Sequence, residues 1–204
     1  MTSFRHASST RVILLAALVA VLAAVALSGT DGSRADAPET VSLLDRPQVA
    51  SDVTGLPTGD ALDTLSAGAP EVSFEDARRA VTPEGALWAA GNGDDACFTA
   101  RSPAAAQPWA TVCGPATTLD ATGLYMVLAA GDTPAKGAAP GEVTVLGLVP
   151  DDTAAVEVAT DDGDQTTLAP RQSTIAVSST DPVDAITVVH DDGTTDTINV
   201  SEGN

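Results

Sequence analysis

Only a few side chains of this 204-residue chain have the chemistry of a nucleophilic or metal site. Of its two histidines, His6 precedes a long apolar segment, and His190 stands beside Asp191 at a predicted hairpin. A Ser-His-Asp site beyond the apolar segment would therefore have to use His190. No G-x-S-x-G motif supplies the serine, and zinc would find almost no ligands. The sequence predicts no catalytic residue and no cofactor.

Carboxylates are abundant, since 28 residues are Asp or Glu. Four aspartate-rich runs lie where turns are predicted, at 94–95, 151–152, 161–164 and 191–192. Aspartate favours turns because its side chain bonds the local backbone, which explains most of these residues. Calcium also prefers oxygen ligands, although no run has EF-hand spacing. The metal assignment stays open, and a calcium-stabilised acidic adhesion or scaffold module is one alternative function. A secreted hydrolase that uses paired Asp or Glu residues is another.

The charge of the chain excludes one class of partner. Lys and Arg together number 9, so the formal net charge is −19 at pH 7. A protein this acidic repels the phosphate backbone of nucleic acids over long range. We therefore expect no nucleic-acid partner.

The N-terminal segment has the features of a membrane anchor or an export signal. Residues 12–27 are sixteen consecutive apolar residues, preceded by Arg5 and Arg11 and followed by Asp31. Arginines on one side and acids on the other keep the N-terminus inside and the remainder outside. We predict a cytoplasmic N-terminus at 1–11 and a transmembrane helix at 12–30. The protein would then be a single-pass cell-membrane protein, anchored in the membrane by this helix. The alternative is secretion after signal cleavage.

The two cysteines, Cys97 and Cys113, both lie in the predicted extracytoplasmic part. An even number of cysteines in an oxidising compartment predicts a disulfide. Their spacing is not that of a redox C-x-x-C motif or a zinc pair.

Residues 31–70 are predicted to form a stalk, because four prolines interrupt them among Gly, Ser, Thr and Asp. Two short apolar clusters in this stretch, at 41–44 and 61–65, are each long enough for a turn or two of helix that packs on the domain. The S-x-x-D pattern that begins at Ser73 predicts one short helix over 73–80.

Residues 71–204 are predicted to be a β-rich domain after that helix. Short apolar runs flank the turn residues 91–95, which is typical of a hairpin. Residues 156–163 are echoed thirty positions later by 186–193, and each run alternates apolar and polar residues before reaching Asp-Asp-Gly. The sequence predicts a hairpin from each run. The expected fold class is mainly β, an antiparallel sandwich or rolled sheet.

This layout resembles a group of uncharacterised exported proteins of high-GC actinobacteria. The pieces that carry the resemblance span residues 43–160: Arg46-Pro47-Gln48 with Asp52, Leu87-Trp88, Cys97 with Cys113, and Gly147-Leu148-Val149-Pro150-Asp151 leading into Val156-Glu157-Val158. The resemblance supports the extracytoplasmic compartment and the disulfide, and it implies no substrate.

The anchor, stalk, cysteine pair and lack of catalytic motifs together predict a membrane-tethered extracytoplasmic module. We expect it to be non-enzymatic and to bind an envelope or extracellular partner.

Overall fold

The computed structural model describes residues 41–67, 69, 71–101, 109–130, 139 and 141–200. The expected fold class is confirmed in outline, since about 50% of the described residues form strands, their pairing is antiparallel and helices among them are few. The helices are α1 (Ser42–Asp45), α2 (Asp60–Asp63) and α3 (Ala116–Thr122). The strands are β1 (Arg78–Thr82), β2 (Gly85–Gly91), β3 (Asp95–Arg101), β4 (Trp109–Pro115), β5 (Leu124–Ala129), β6 (Val143–Leu148), β7 (Thr153–Thr160), β8 (Gln165–Leu168), β9 (Thr174–Ser179), β10 (Val183–His190) and β11 (Thr195–Asn199).

The strands form three sheets. The first sheet has the order β1-β2-β3-β4, the central sheet β5-β6-β9, and the repeat sheet β11-β10-β7-β8. Strand β4 lies close to β5, and β1 lies close to β9, so the first and central sheets approach each other along both sides. The predicted hairpin around residues 91–95 is the β2–β3 connection.

The central sheet is covered on both faces. Successive side chains of a strand point to opposite faces, and β6 is apolar on both. Leu146 and Leu148 join a core with the first sheet, whereas Val143 and Val145 join a core with the repeat sheet. The central sheet therefore lies between the other two.

The outer face of the first sheet carries a further core. Trp88 and Cys97 on this face pack with Leu65, Val72 and Phe74 from the segment that precedes β1. On the opposite face, α1 places the fully buried Val41 and Leu43 in the core between the first and central sheets.

The two apolar clusters predicted to form short helices do so and pack on the domain. They correspond to α1 and to α2 with the 3₁₀ turn Thr64–Ser66 that follows it. Val41, Leu43 and Leu65, which lie within the stretch 31–70 predicted as a stalk, contribute to two cores. Residues 31–40 and the predicted anchor at 12–30 lie outside the described residues.

The predicted helix over 73–80 is wrong beyond its first turn. Phe74–Asp76 is a single 3₁₀ turn, in which the Ser73 hydroxyl accepts a hydrogen bond from the Glu75 N–H. Strand β1 then begins at Arg78, where five residues pair with β2. Pairing with β2 and hydrogen bonds of this segment with Gln48 and Asp52 override the helix propensity, which is only a weak preference.

The repeat sheet confirms both predicted C-terminal hairpins and arranges them around an internal two-fold axis. Hairpins β7–β8 and β10–β11 are related by the thirty-residue offset, and β7 pairs with β10 so that Glu157 lies opposite Thr187. A half-turn about an axis through that pair exchanges the two hairpins. Their turns match, because Gly163 and Gly193 adopt φ of +89° and +83°, a region that favours glycine.

A close contact explains one glycine of the central sheet. Gly147 on β6 lies opposite Tyr125 on β5, and the tyrosine ring covers it. A Cβ at position 147 would be 2.7 Å from Tyr125 Cε1 and 2.9 Å from Ile175 Cγ1. Any side chain at this position would therefore push the ring out of its packed position.

We expect Gly147→Ala to lower the free energy of unfolding by about 2 kcal/mol, because the added methyl overpacks the core. Thermal denaturation of the full chain measures the effect. In a Tyr125→Leu background the same substitution should cost less, since the obstructing ring is absent. An equal cost in both backgrounds would contradict this packing.

Candidate functional site

The predicted disulfide residues lie directly opposite each other. Cys97 on β3 and Cys113 on β4 form a cross-strand pair with a Cα–Cα distance of 4.1 Å and sulfurs 2.03 Å apart. Cys97 is fully buried beside Trp88, whose ring meets that of Trp109 edge to face at 5.3 Å. The disulfide thus belongs to the outer core of the first sheet.

The aspartate-rich turns use carboxylates to hold their own backbone. Asp162 accepts hydrogen bonds from the Thr160 hydroxyl and the Asp164 N–H, and Asp192 accepts from the Thr194 hydroxyl and N–H. These hydrogen bonds lower the pKa of both carboxyls, and the bond from the threonine hydroxyl has the largest effect. In the described part of the chain, no group of three or more His, Cys, Asp or Glu residues is placed to hold a metal.

His190 lies between two carboxylates. Its Nδ1 is 3.4 Å from Asp152 Oδ1, and its Nε2 is 3.3 Å from Asp196 Oδ2. The ring is buried on the inner face of the repeat sheet, opposite Thr153 of β7. Both ring nitrogens thus contact carboxylates rather than a hydroxyl nucleophile, so this geometry is not that of a Ser-His-Asp site.

The ion pair between Arg46 and Asp52 has a role that the sequence did not reveal. Asp52 is 2% exposed. Its two oxygens accept from Arg46 at 2.5 and 2.8 Å, and also from the backbone N–H groups of Val49 and Arg79. The Arg46 guanidinium holds the pKa of Asp52 well below its usual range, and the backbone donors act in the same direction.

This ion pair fastens the loop 46–52 to strand β1. Arg46 also donates to the Arg79 carbonyl, and Gln48 donates to the carbonyls of Glu75 and Ala77. In the other direction, the Arg78 Nε donates a hydrogen bond to the Arg46 carbonyl. The motif Arg46-Pro47-Gln48 with Asp52 is therefore explained by the way it covers an edge strand.

We expect Asp52→Asn to lower the free energy of unfolding at pH 7 by about 3 kcal/mol, because it leaves Arg46 without its counter-charge. Denaturant titration of the full chain measures this loss. The folded-state pKa of Asp52 is depressed, so the stabilisation is complete above roughly pH 4 and declines as the pH falls below that value. The difference between the wild type and the variant should therefore shrink at pH 3. Asp60→Asn, which removes an exposed carboxylate, is the matched control, and equal effects would contradict the prediction.

Removal of the disulfide tests the other structural link. We expect the double variant Cys97→Ala, Cys113→Ala to lose about 3 kcal/mol, because the bond closes a loop of sixteen residues in the unfolded chain. Thermal denaturation with and without reductant measures this effect. Reductant should lower the melting temperature of the wild type and leave that of the double variant unchanged; the same response in both would contradict the role given to the bond.

A cleft of about 460 Å³ opens between the central sheet and the repeat sheet at one end of their shared core. Its apolar lining comes from both sheets and consists of Val145, Val158, Val177 and Val183. Val145, Val158 and Val183 are buried in the core, whereas Val177 on β9 is partly exposed.

Three carboxylates from separate segments surround this cleft. Glu142 precedes β6, Asp164 lies in the β7–β8 turn, and Asp181 lies in the β9–β10 connection. The Ala139 N–H donates to Glu142 at 2.7 Å and lowers the pKa of this carboxyl. The lining, as far as the structure describes it, contains no arginine, lysine or histidine. This combination of valines, hydroxyls and carboxylates suits an organic cation with an apolar stem.

Comparison with family models, curated proteins and solved structures finds no match to this chain. In the portion that the structure describes, no helix has the length and apolar character needed to span a membrane.

Two alternatives from the sequence have distinct structural signatures. A carboxylate hydrolase needs two acids that face each other in one site, whereas the buried Asp52 pairs with Arg46. A calcium module needs oxygens from several groups around one point, whereas the carboxylates of Asp162 and Asp192 cap their own turns. Sequence analysis did not identify the cleft between the central and repeat sheets, because its carboxylates, Glu142, Asp164 and Asp181, are far apart in the chain.

Proposed function

We propose that this chain is a membrane-tethered extracytoplasmic domain that works by binding a partner, without catalysis of its own. The observation that carries the proposal is the Cys97–Cys113 pair at disulfide distance inside a packed core. Disulfides persist in oxidising compartments and are rare in a reducing cytoplasm. The apolar segment 12–27, with its flanking charges, supplies the route of export and the tether.

The fold supports binding as the mode of action. Turn caps, an ion pair and three cores hold the described strands in a fixed scaffold. The cleft between the central and repeat sheets is a concave surface on that scaffold, and concave clefts are common ligand sites. The Asp-rich surface elsewhere keeps an exported domain soluble.

The location and topology can be tested in bacterial cells that express the full chain with a C-terminal tag. We expect the tag to be cleaved by protease added outside the cytoplasmic membrane, and the cysteines to react with a membrane-impermeant maleimide only after reduction. The chain should be recovered with the membrane at full length.

Arginine substitutions provide the matched control for this experiment. Leu18→Arg with Leu22→Arg places charges in the apolar segment, each of which costs about 2.5–3.5 kcal/mol for insertion, so the tag should become protected. Val81→Arg adds an arginine at a residue that is 70% exposed and should leave the topology unchanged. A protected tag in the wild type, with thiols that react after lysis without reduction, would contradict the proposal. Recovery of a shortened chain from the medium would indicate secretion after signal cleavage and would contradict the membrane tether.

A further inference from the structure

The internal two-fold axis of the repeat sheet allows its two ends to be compared residue by residue. Thr160 of β7 pairs with Val183 of β10, and the rotation carries this pair onto His190 and Thr153. The backbone follows the same symmetry. The Asp161 N–H donates to the Pro182 carbonyl at 3.0 Å, and the Asp191 N–H donates to the Asp152 carbonyl at 2.8 Å. The two ends therefore share one backbone frame and differ in side chains.

At the His190 end, the basic ring occupies the inner face of this frame. Asp152 comes from the connection before β7 and Asp196 from β11, and together they approach both nitrogens of the ring. The imidazole is 8% exposed, so the chain closes this end with a basic side chain of its own. At this end, therefore, a nitrogen base lies between carboxylates from two different elements.

At the Thr160 end, the equivalent position carries a small hydroxyl side chain, and the cleft is open. Thr160 lies in its lining, and its hydroxyl donates to Asp162 within its own turn. The carboxylates here are Asp164 and Asp181 from the repeat sheet and Glu142 from the central sheet. The counterparts of Asp152 and Asp196 at this end are Pro182 and Thr166, so the acids here occupy other positions of the frame. The described lining of the cleft holds these acids without a basic side chain.

We infer that the open cleft binds the side chain of a lysine or arginine that an extended segment of a partner protein presents. The inference rests on the proposed function and gives its partner a chemistry. The valines accommodate the alkyl stem, and the three carboxylates receive the cationic head, as long cationic side chains do at mixed surfaces. The acidic chain attracts such a segment from a distance.

The lining favours an organic cation over a metal ion. Hard cations such as calcium take six to eight oxygen ligands at short range, and the described residues contain no group of acids so placed. A floor of valines offers nothing to a hydrated metal, whereas it removes the stem of a lysine or arginine from water.

The test uses the purified full chain in detergent micelles and a fluorescein-labelled pentapeptide in which lysine alternates with alanine. Fluorescence anisotropy measures its dissociation constant. A second peptide carries norleucine in place of lysine, which keeps the stem and removes the charge. We expect saturable binding of the lysine peptide and at least ten-fold weaker binding of the norleucine peptide.

Matched charge variants locate the binding. Asp164→Asn with Asp181→Asn removes two charges from the cleft, and we expect the dissociation constant to rise at least ten-fold. Glu71→Gln with Asp191→Asn removes two exposed charges elsewhere, and we expect a change of less than two-fold. All four substitutions are conservative in shape, and an unchanged circular dichroism spectrum confirms that each variant folds.

Several results would overturn the inference. Equal weakening in both pairs of variants would mean diffuse attraction to an acidic surface, and equal binding of the norleucine peptide would mean an apolar groove alone. Displacement of the peptide by millimolar calcium, but not by magnesium, with loss of that effect in the cleft variant, would make the cleft a metal site. Absence of binding in an extracytoplasmic protein would overturn the inference and leave the proposed function standing. Binding by a chain that stays in the cytoplasm would overturn the proposed location alone.

Discussion

Strand β6 carries apolar side chains on both faces, and this one strand determines how the rest of the molecule is layered. Burial of apolar surface stabilises a protein by about 25 cal/mol per Å², so neither Leu146 and Leu148 nor Val143 and Val145 can be left in water without a large cost. One sheet covers each face as a result. A chain with only six aromatic residues reaches this coverage through three modest cores rather than one large one.

The edges of the sheets depend on polar contacts instead. Strand β1 would expose a row of backbone groups, and the loop held by Arg46 and Asp52 bonds the N–H and the carbonyl of Arg79 among them. Glu84, in the β1–β2 turn, accepts a hydrogen bond from Ser178 of β9 and so joins the first sheet to the central sheet. In a protein with few aromatic side chains, such contacts help fix where one layer ends relative to the next.

The parts of the fold that sequence analysis predicted are those set by neighbouring residues. The C-terminal hairpins follow from local alternation and from glycines such as Gly163 that turns require. The local pattern of strand β1 favours a helix, whereas its strand state depends on pairing with β2 and on Asp52, which is 27 residues from Arg79. The cleft was beyond prediction for the same reason, since Glu142, Asp164 and Asp181 meet only once two sheets are stacked.

The way the chain enters the fold has a mechanical consequence. Val41 is fully buried, and the next residue, Ser42, donates from its N–H and hydroxyl to Asp151, which also binds Ser173. Tension applied to the chain ahead of Val41 therefore acts first on helix α1 and on these hydrogen bonds, before any strand of the sheets is loaded. Their failure would release one short helix and open the core between the first and central sheets. The few contacts around Asp151 are thus the first in the described structure to bear a pull from the N-terminal side.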